Sequence, residues 1–327
     1  MKINSPKDFR KIMVTGGAGF IGSEFVRQGV KAGYRIIVVD NLSYAGDLAR
    51  LKEVRSSIAF YKVDITQRAK LEAVFRKEKP EALVHFAAET HVDRSIKDAA
   101  PFLSTNILGT QNLIELAIKY SLKKMVHIST DEVYGQSIKG WFKETDPIQP
   151  RNPYSATKAA AELLVKTAMV THGLPALIVR PSNNYGLWQY PEKFLPVIIS
   201  SALKNQPIPV YGKGEQIREW LHVSDAARAV FTILEKGQLG EVYNIGTKFE
   251  SRNIDTVKNI LKLLGKGEEL ITFVSDRPGH DFRYSVAWDK LKKLGWSPRV
   301  SFKDGIKATI AWYTANQRWV ERKRAGA

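Results

Sequence analysis

Residues 11–22 read KIMVTGGAGFIG: a short apolar run, Lys11–Thr15, passes straight into glycines at 16, 19 and 22, and a helical pattern follows through Ala32. Each of Gly16, Gly19 and Gly22 permits a tight turn or a close backbone approach, so that a pyrophosphate can rest against the amides of a helix N-terminus. A glycine triplet alone is weak evidence, but a strand before it and a helix after it give it the context of a dinucleotide turn. A second apolar run, Arg35–Val39, ends in Asp40. A carboxylate at that point accepts hydrogen bonds from the adenosine ribose hydroxyls and repels a 2′-phosphate, which favours NAD over NADP.

Beyond this turn, strand-like and helix-like runs alternate. Strands are expected at Ile58–Val63, Ala82–Phe86, Lys124–Ile128 and Ala176–Val179, with helices at Gln67–Glu78, Pro101–Tyr120 and Tyr154–His172, the last closed by Gly173. Such alternation is the signature of an α/β fold, a Rossmann-type doubly wound parallel sheet, whose ligands gather at the carboxyl ends of the strands. The glycine turn, Asp40, Asp64, Ala87–Ser95 and Ser129–Glu132 all fall at such ends. After Pro181 the texture changes to SNNYG and then to Pro191, Pro196, Pro207 and Pro209. A boundary is expected there, with 1–181 as a NAD-binding domain and 182–327 as a smaller α/β substrate-binding domain. The segment near 222–246 is expected to pack back on the first sheet. The second part reads as helix Phe194–Lys204, strand Ile208–Tyr211, loop Gly212–Trp220, a helix capped by Ser224 and running through Glu235, and a strand at Glu241–Ile245. Helices at Asn253–Leu264, Ala287–Leu294 and Phe302–Lys323 complete it.

With 44% hydrophobic and 25% charged residues in 327, the composition is that of an ordinary globular protein with a full core. No apolar stretch reaches the length of a membrane span, and MKINSPKDFRK lacks the apolar segment of a signal peptide, so a cytoplasmic location is expected. The absence of cysteine excludes disulfides, thiolate chemistry and cysteine-ligated zinc, and the six histidines show no ligand spacing. The net charge of +17 is compatible with nucleic-acid binding. The basic residues are scattered, however, with clustering only at Arg318–Arg324, so attraction of a small anionic substrate is the preferred reading and nucleic acid is not an expected partner.

Two short motifs carry chemistry. STDEVYG, Ser129–Gly135, sets a hydroxyl, two adjacent carboxylates and a phenol just past the strand at Lys124–Ile128. PYSATK, Pro153–Lys158, opens a helix on which Tyr154 and Lys158 are four apart and share a face, where the ammonium can lower the phenol's pKa and make it a general base. Asp131 and Glu132 can reach different atoms of one ligand, one protonated and one ionised if their surroundings separate their pKa values. Alone, each motif also fits a plain surface pair or a turn cap.

The glycine turn followed by Tyr154 and Lys158 resembles the extended short-chain dehydrogenase/reductase superfamily. HFAAETHVDRS, STDEVYG, NPYSATK, RPSNNYG, PEKFLP, YGKGEQIREW and DRPGHDFRY resemble, in order and over nearly the whole chain, the dTDP-glucose 4,6-dehydratase family. That resemblance implies a three-step reaction. Tyr154, with Thr130 bonding the sugar's 4-oxygen, removes the 4-hydroxyl proton as NAD takes the C4 hydride. Glu132 removes the C5 proton while Asp131 protonates the departing C6 hydroxyl, and the hydride then returns to C6. Thr130, Asp131, Glu132, Tyr154 and Lys158 are thereby implied as catalytic. Cofactor contacts are implied for Gly16, Gly19, Phe20, Ile21, Gly22, Asp40, Asn41, Ser43, Ala45, Gly46, Asp64, Ile65, Ala87, Ala88 and Thr105, together with Tyr154 and Lys158.

For the nucleotide sugar, the resemblance implies Thr90, Thr130, Asn184, Lys193, Tyr211, Arg218, Asn253, Arg277 and His280. Tyr211 would pack on the pyrimidine and Arg218 would grip the diphosphate with its planar fork. The chain departs from the family pattern at Thr90, where Ser is usual, at Glu219, where Asp is commoner, and at Thr247-Lys248-Phe249-Glu250 after YNIG. A UDP-glucose 4,6-dehydratase shares the same catalytic residues and stays open as an alternative, as does a C4 epimerase, for which Asp131 and Glu132 would be structural. A binding scaffold that kept the NAD fold is the reading from another class. The resemblance also implies a homodimer through the helices at Pro101–Tyr120 and Tyr154–His172, and a product feeding deoxysugars such as rhamnose; no metal is required.

Overall fold

The computed structural model describes residues 9–325. Most of the N-terminal stretch on which the absence of a leader was argued therefore lies outside the described residues.

The chain begins with β1 (Lys11–Thr15), turns through the glycines into α1 (Phe20–Lys31), and returns as β2 (Arg35–Asp40). A 3-10 turn spans Leu48–Ser57, then come β3 (Ile58–Lys62), α2 (Arg68–Glu78) and β4 (Ala82–His85). Next are α3 (Val92–Lys97), α4 (Ala100–Phe102), a π-helical stretch at Leu103–Leu108 and α5 (Gly109–Lys119). β5 (Lys124–Ile128), a 3-10 turn at Asp131–Tyr134, α6 (Pro153–His172) and β6 (Ala176–Pro181) follow. The later part holds β7 (Asn183–Tyr185), α7 (Phe194–Leu203), β8 (Ile208–Tyr211), β9 (Ile217–His222), α8 (Val223–Lys236), β10 (Val242–Ile245) and β11 (Glu250–Arg252). It closes with α9 (Asn253–Leu264), β12 (Ile271–Val274), α10 (Asp289–Lys293), α11 (Phe302–Ala315) and α12 (Gln317–Ala325).

Seven strands form one parallel sheet in the order β10-β6-β5-β4-β1-β2-β3. Its central strands are apolar on both faces because helices cover both. Ile12, Val14, Val38, Val84, Val126 and Val179 point into one cluster with α1 and α8, and Met13, Ile37, Leu83, Met125 and Ile178 into another with α2, α5 and α6. Each such side chain contributes about 1.5–3 kcal/mol by leaving water. A separate core, including Ile198, Ile199, Trp220, Ile260 and Tyr313, holds the later elements together. β10 completes the large sheet beside β6, although it follows β7, β8 and β9 in the chain.

Local expectations fail in three places. Gly212–Trp220 is not all loop: Ile217–His222 is a strand between β11 and β7, disguised because Arg218 and Glu219 are charged yet buried. His222, not Ser224, caps α8, its ring accepting from the Ser224 amide. The expected single helix Phe302–Lys323 breaks at Asn316, whose amide bonds back to Trp312 and Tyr313.

Candidate active site

The glycine turn is a cradle that larger residues would fill. Gly16 sits at φ 71°, and a Cβ there would lie 2.5 Å from the Ala87 amide nitrogen; one on Gly22 would collide with the Gly16 carbonyl. Gly19 precedes α1 with no side-chain cap, which leaves the first-turn amides of Phe20, Ile21 and Gly22 at the wall of a cleft. Asp40 holds this turn in place, accepting from the Ala18 and Leu42 amides at 2.9 and 2.8 Å. Burial nonetheless raises its pKa, outweighing those two donors and Arg50. Asn41, Ser43, Ala45, Gly46, Asp64, Ile65, Ala87, Ala88 and Thr105 line the same recess, with Asn41 donating to Asp64 at 2.8 Å. This recess and its free amides fit a dinucleotide: acids at one end for ribose, bare backbone at the other for phosphate.

The recess opens into a cleft lined by Thr90, Thr130, Asp131, Glu132, Tyr154, Lys158, Asn184 and Lys193. β5 delivers Ser129–Glu132 here, and α6 starts beside it because Asn152 and Ser155 form a reciprocal capping box that fixes the helix's first turn. Lys158 Nζ donates to the Ile128 carbonyl at 2.6 Å, tying α6 to the end of β5. Thr130 Oγ1 lies 3.2 Å from Asp131 Oδ1, while Asp131 Oδ2 is buried with no partner among the described residues. Burial first, then Glu132 and Glu219, push Asp131 well above the usual carboxylate range. Glu132 is also raised, mainly by burial, with Arg277 and Arg218 opposing.

Lys158 shares the expected helix face with Tyr154, but the net shift of the Tyr154 phenol in this structure is upward. Burial raises Tyr154, Glu132 adds to the shift and Thr130 opposes it, while the ammonium itself is pushed down to about 8 by burial. Both groups are buried to within 8% exposure, and desolvation is the larger effect when a charge has so little water.

A third recess adjoins at Glu132, Asn184 and Lys193 and continues past Tyr211, Arg218, Asn253, Arg277 and His280. Arg277 pairs with Asp93 at 3.3 Å, and His280 Nδ1 lies 2.6 Å from Asp276. Burial and the arginines at 277 and 218 lower His280 to about 4, so its ring is neutral near pH 7. Lys193 reaches the Thr90 carbonyl at 3.1 Å. The structure thus gathers every site residue expected from sequence along one continuous groove. Asn152, which donates to Glu132 Oε2 at 3.3 Å, was not among them, though it stands in the NPYSATK motif. Asp281 and Tyr284, behind Glu132, were also passed over inside DRPGHDFRY.

A parallel nucleotide-binding sheet with Tyr154 and Lys158 on one helix face, facing a hydroxyl at the end of β5, defines an extended short-chain dehydrogenase/reductase. Residues 13–309 match the family of GDP-mannose 4,6 dehydratase. The chain is 46% identical to a dTDP-glucose 4,6-dehydratase of Neisseria meningitidis serogroup B, over 95% of each chain. Among solved structures it resembles DesIV, a dTDP-glucose 4,6-dehydratase from Streptomyces venezuelae with NAD and TYD bound, at a TM-score of 0.93 and 41% identity over 95% of this chain and 99% of that one. It also resembles the UDP-glucose 4-epimerase of Thermotoga maritima with UDP-glucose, at 0.88 and 32% over 94% and 99%. The chain belongs to the dTDP-glucose 4,6-dehydratase family.

Proposed function

We propose that this protein is a NAD-dependent hydro-lyase that converts dTDP-glucose to dTDP-4-keto-6-deoxyglucose and water. The observation that carries this reading is the Asp131–Glu132 pair at the end of β5, in the same cleft as Thr130, Tyr154 and Lys158. Oxidation of an alcohol uses only the last three; two further carboxylates, Asp131 buried and Glu132 half-buried, supply an acid and a base for elimination.

NAD bound in the glycine cradle supplies the hydride acceptor for C4 and the donor for C6. Thr130 Oγ1 and Tyr154 Oη hold the 4-hydroxyl, and Tyr154 takes its proton as the phenolate, the form that the Lys158 ammonium favours against burial. Glu132 then removes the proton from C5; the electron pair of that C–H bond is stabilised by the adjacent ketone. As the C6–O bond breaks, its electron pair leaves on oxygen, and Asp131, protonated through burial, delivers its proton to make water; Glu132 then returns its proton to C5 as C6 gains the hydride. Arg218 and Lys193 bind the diphosphate end, and Tyr211, Asn253, Arg277 and His280 enclose the pyrimidine nucleotide.

The same reading extends to a homodimer, a cytoplasmic enzyme, and a product that feeds deoxysugars such as rhamnose. Exposed Leu103, Leu108, Leu163 and Val170 between residues 103 and 170 support pairing through these helices, and among the described residues no helix is long and apolar enough to cross a membrane. Light scattering reads the assembly directly, and a mass of one chain would remove the dimer.

Incubation with dTDP-glucose and separately with UDP-glucose, followed by mass spectrometry, tests the reaction. Loss of one water from dTDP-glucose without net consumption of NAD is expected. Faster loss from UDP-glucose would reassign the base, unchanged mass with a galactose product would make the protein an epimerase, and no conversion at all would remove the enzyme reading.

A further inference from the structure

Behind Glu132, Tyr284 and Asp281 form a buried polar pair that no step above uses. The Tyr284 hydroxyl donates to Asp281 Oδ2 at 2.6 Å. Asp281 is fully buried; its other oxygen accepts from Arg151 Nη1 at 3.1 Å and its carbonyl from Arg218 Nη2 at 3.0 Å. The Tyr284 ring, 3% exposed, is held under the Arg218 guanidinium at 4.4 Å. On its other side the Tyr284 oxygen lies 3.5 Å from Glu132 Oε2, and Asn152 Nδ2 lies 3.3 Å from the same atom.

A phenol has one proton, and that of Tyr284 is committed to Asp281. The oxygen therefore turns lone pairs toward Glu132. Asn152 turns the opposite polarity, because its own Oδ1 is fixed on the Ser155 amide at 2.9 Å and leaves the NH2 for Glu132. One carboxyl oxygen thus meets a donor suited to the ionised form and an acceptor suited to the protonated form.

Resting on the dehydratase reading, we infer that Tyr284, aligned by Asp281, is a positioning residue that accepts a hydrogen bond from Glu132 once Glu132 carries the C5 proton. The C5–H bond breaks, its electron pair stays with the sugar, and its proton resides on Glu132 facing the Tyr284 oxygen until it returns to C5. The pair thereby favours proton abstraction without touching the sugar. Other charged or titratable groups facing Glu132 are Asp131, Tyr154, Lys193, Arg218, Arg277 and Asp281, all of which both variants below leave in place except the last.

The experiment is a single turnover of the NAD-loaded protein with dTDP-glucose and with its C5-deuterated form, followed by the near-ultraviolet absorbance of reduced nicotinamide. In Tyr284→Phe, formation of that signal should be unchanged, its decay about tenfold slower, the scale of one lost hydrogen bond in a transition state, and the C5 isotope effect larger than in the unsubstituted enzyme. Asp281→Asn provides the second arm. Arg151 keeps the amide oxygen, so the NH2 faces Tyr284, whose proton is freed to turn toward Glu132 and stabilise its anion; decay should slow and its acid limb move to lower pH. Equal slowing of formation and decay, or decay unchanged in both variants, would overturn the inference. Absence of both the signal and water loss in the unsubstituted enzyme would instead sink the dehydratase reading, and this inference with it.

Discussion

Tyr154, Lys158 and Glu132 are each buried enough that removal from water decides their charge before any neighbour does. This has a consequence for the pH–rate profile. Glu132 works as a base only when ionised, and its pKa is raised from the ordinary value of 4.5, so activity should fall on the acid side at a higher pH than for a surface glutamate. On the alkaline side Lys158, at about 8, loses the charge that favours the Tyr154 phenolate, so the rate should turn over near there. A profile of kcat/KM against pH whose acid limb lies at or below that of a surface glutamate would contradict the first assignment, and one that stays flat through 8 to about 9 would contradict the second. The identities of these residues were legible in STDEVYG and PYSATK; the sign of the Tyr154 shift was not. Spacing along a helix reveals which groups meet, whereas desolvation depends on how much of the rest of the chain closes over them.

At the level of secondary structure, Lys11–Asp40 was readable almost to the residue because turn chemistry is local: glycine backbone freedom, an uncapped helix start and an apolar strand leave marks within a few positions. β9 was not readable, since its charged residues are hydrogen-bonded by backbone groups distant in sequence. Glu219 accepts from the amides of Thr247, Lys248 and Val286 at 2.5, 2.6 and 3.1 Å, so one side chain ties the loop after β10 to the segment before α10. Two departures from the family pattern, Glu219 and the Thr247–Glu250 turn, are therefore one feature: the longer acid reaches the turn. Shortening it should leave buried amides without an acceptor. Glu219→Asp is expected to destabilise the protein by about 2 kcal/mol, read as a lower urea midpoint with unchanged slope; an unaltered midpoint would show that the turn does not depend on it.

Taken as a whole molecule, the protein buries several groups in the neutral state, and this couples its stability to pH. His85, held between Thr15 and Thr110 at 2.8 and 3.0 Å, is lowered to about 3 by burial, and His280 to about 4. A histidine whose folded pKa lies below the unfolded 6.5 lets the unfolded chain bind protons first, so stability is full above 6.5 and declines as pH falls toward 4 and 3. Glu219, raised to about 7, acts with the opposite sign between 4.5 and 7. Asp40, Asp131 and Glu132, also raised, act with the same sign as Glu219, so the test is a difference: between pH 7.5 and about 4.5 the denaturant midpoint of the unsubstituted protein should lose ground relative to His85→Gln as pH falls, and parallel curves would take His85 out of the account. The position of β10 bears on how the molecule is made. A ribosome delivers β6 long before β10, so the apolar Leu177–Val179 edge stays open while β7, α7, β8, β9 and α8 emerge. Until Val242–Ile245 arrives, the nascent chain carries an unfinished sheet that a neighbouring chain's strand could extend, and truncation after Pro181 would make that transient vulnerability permanent.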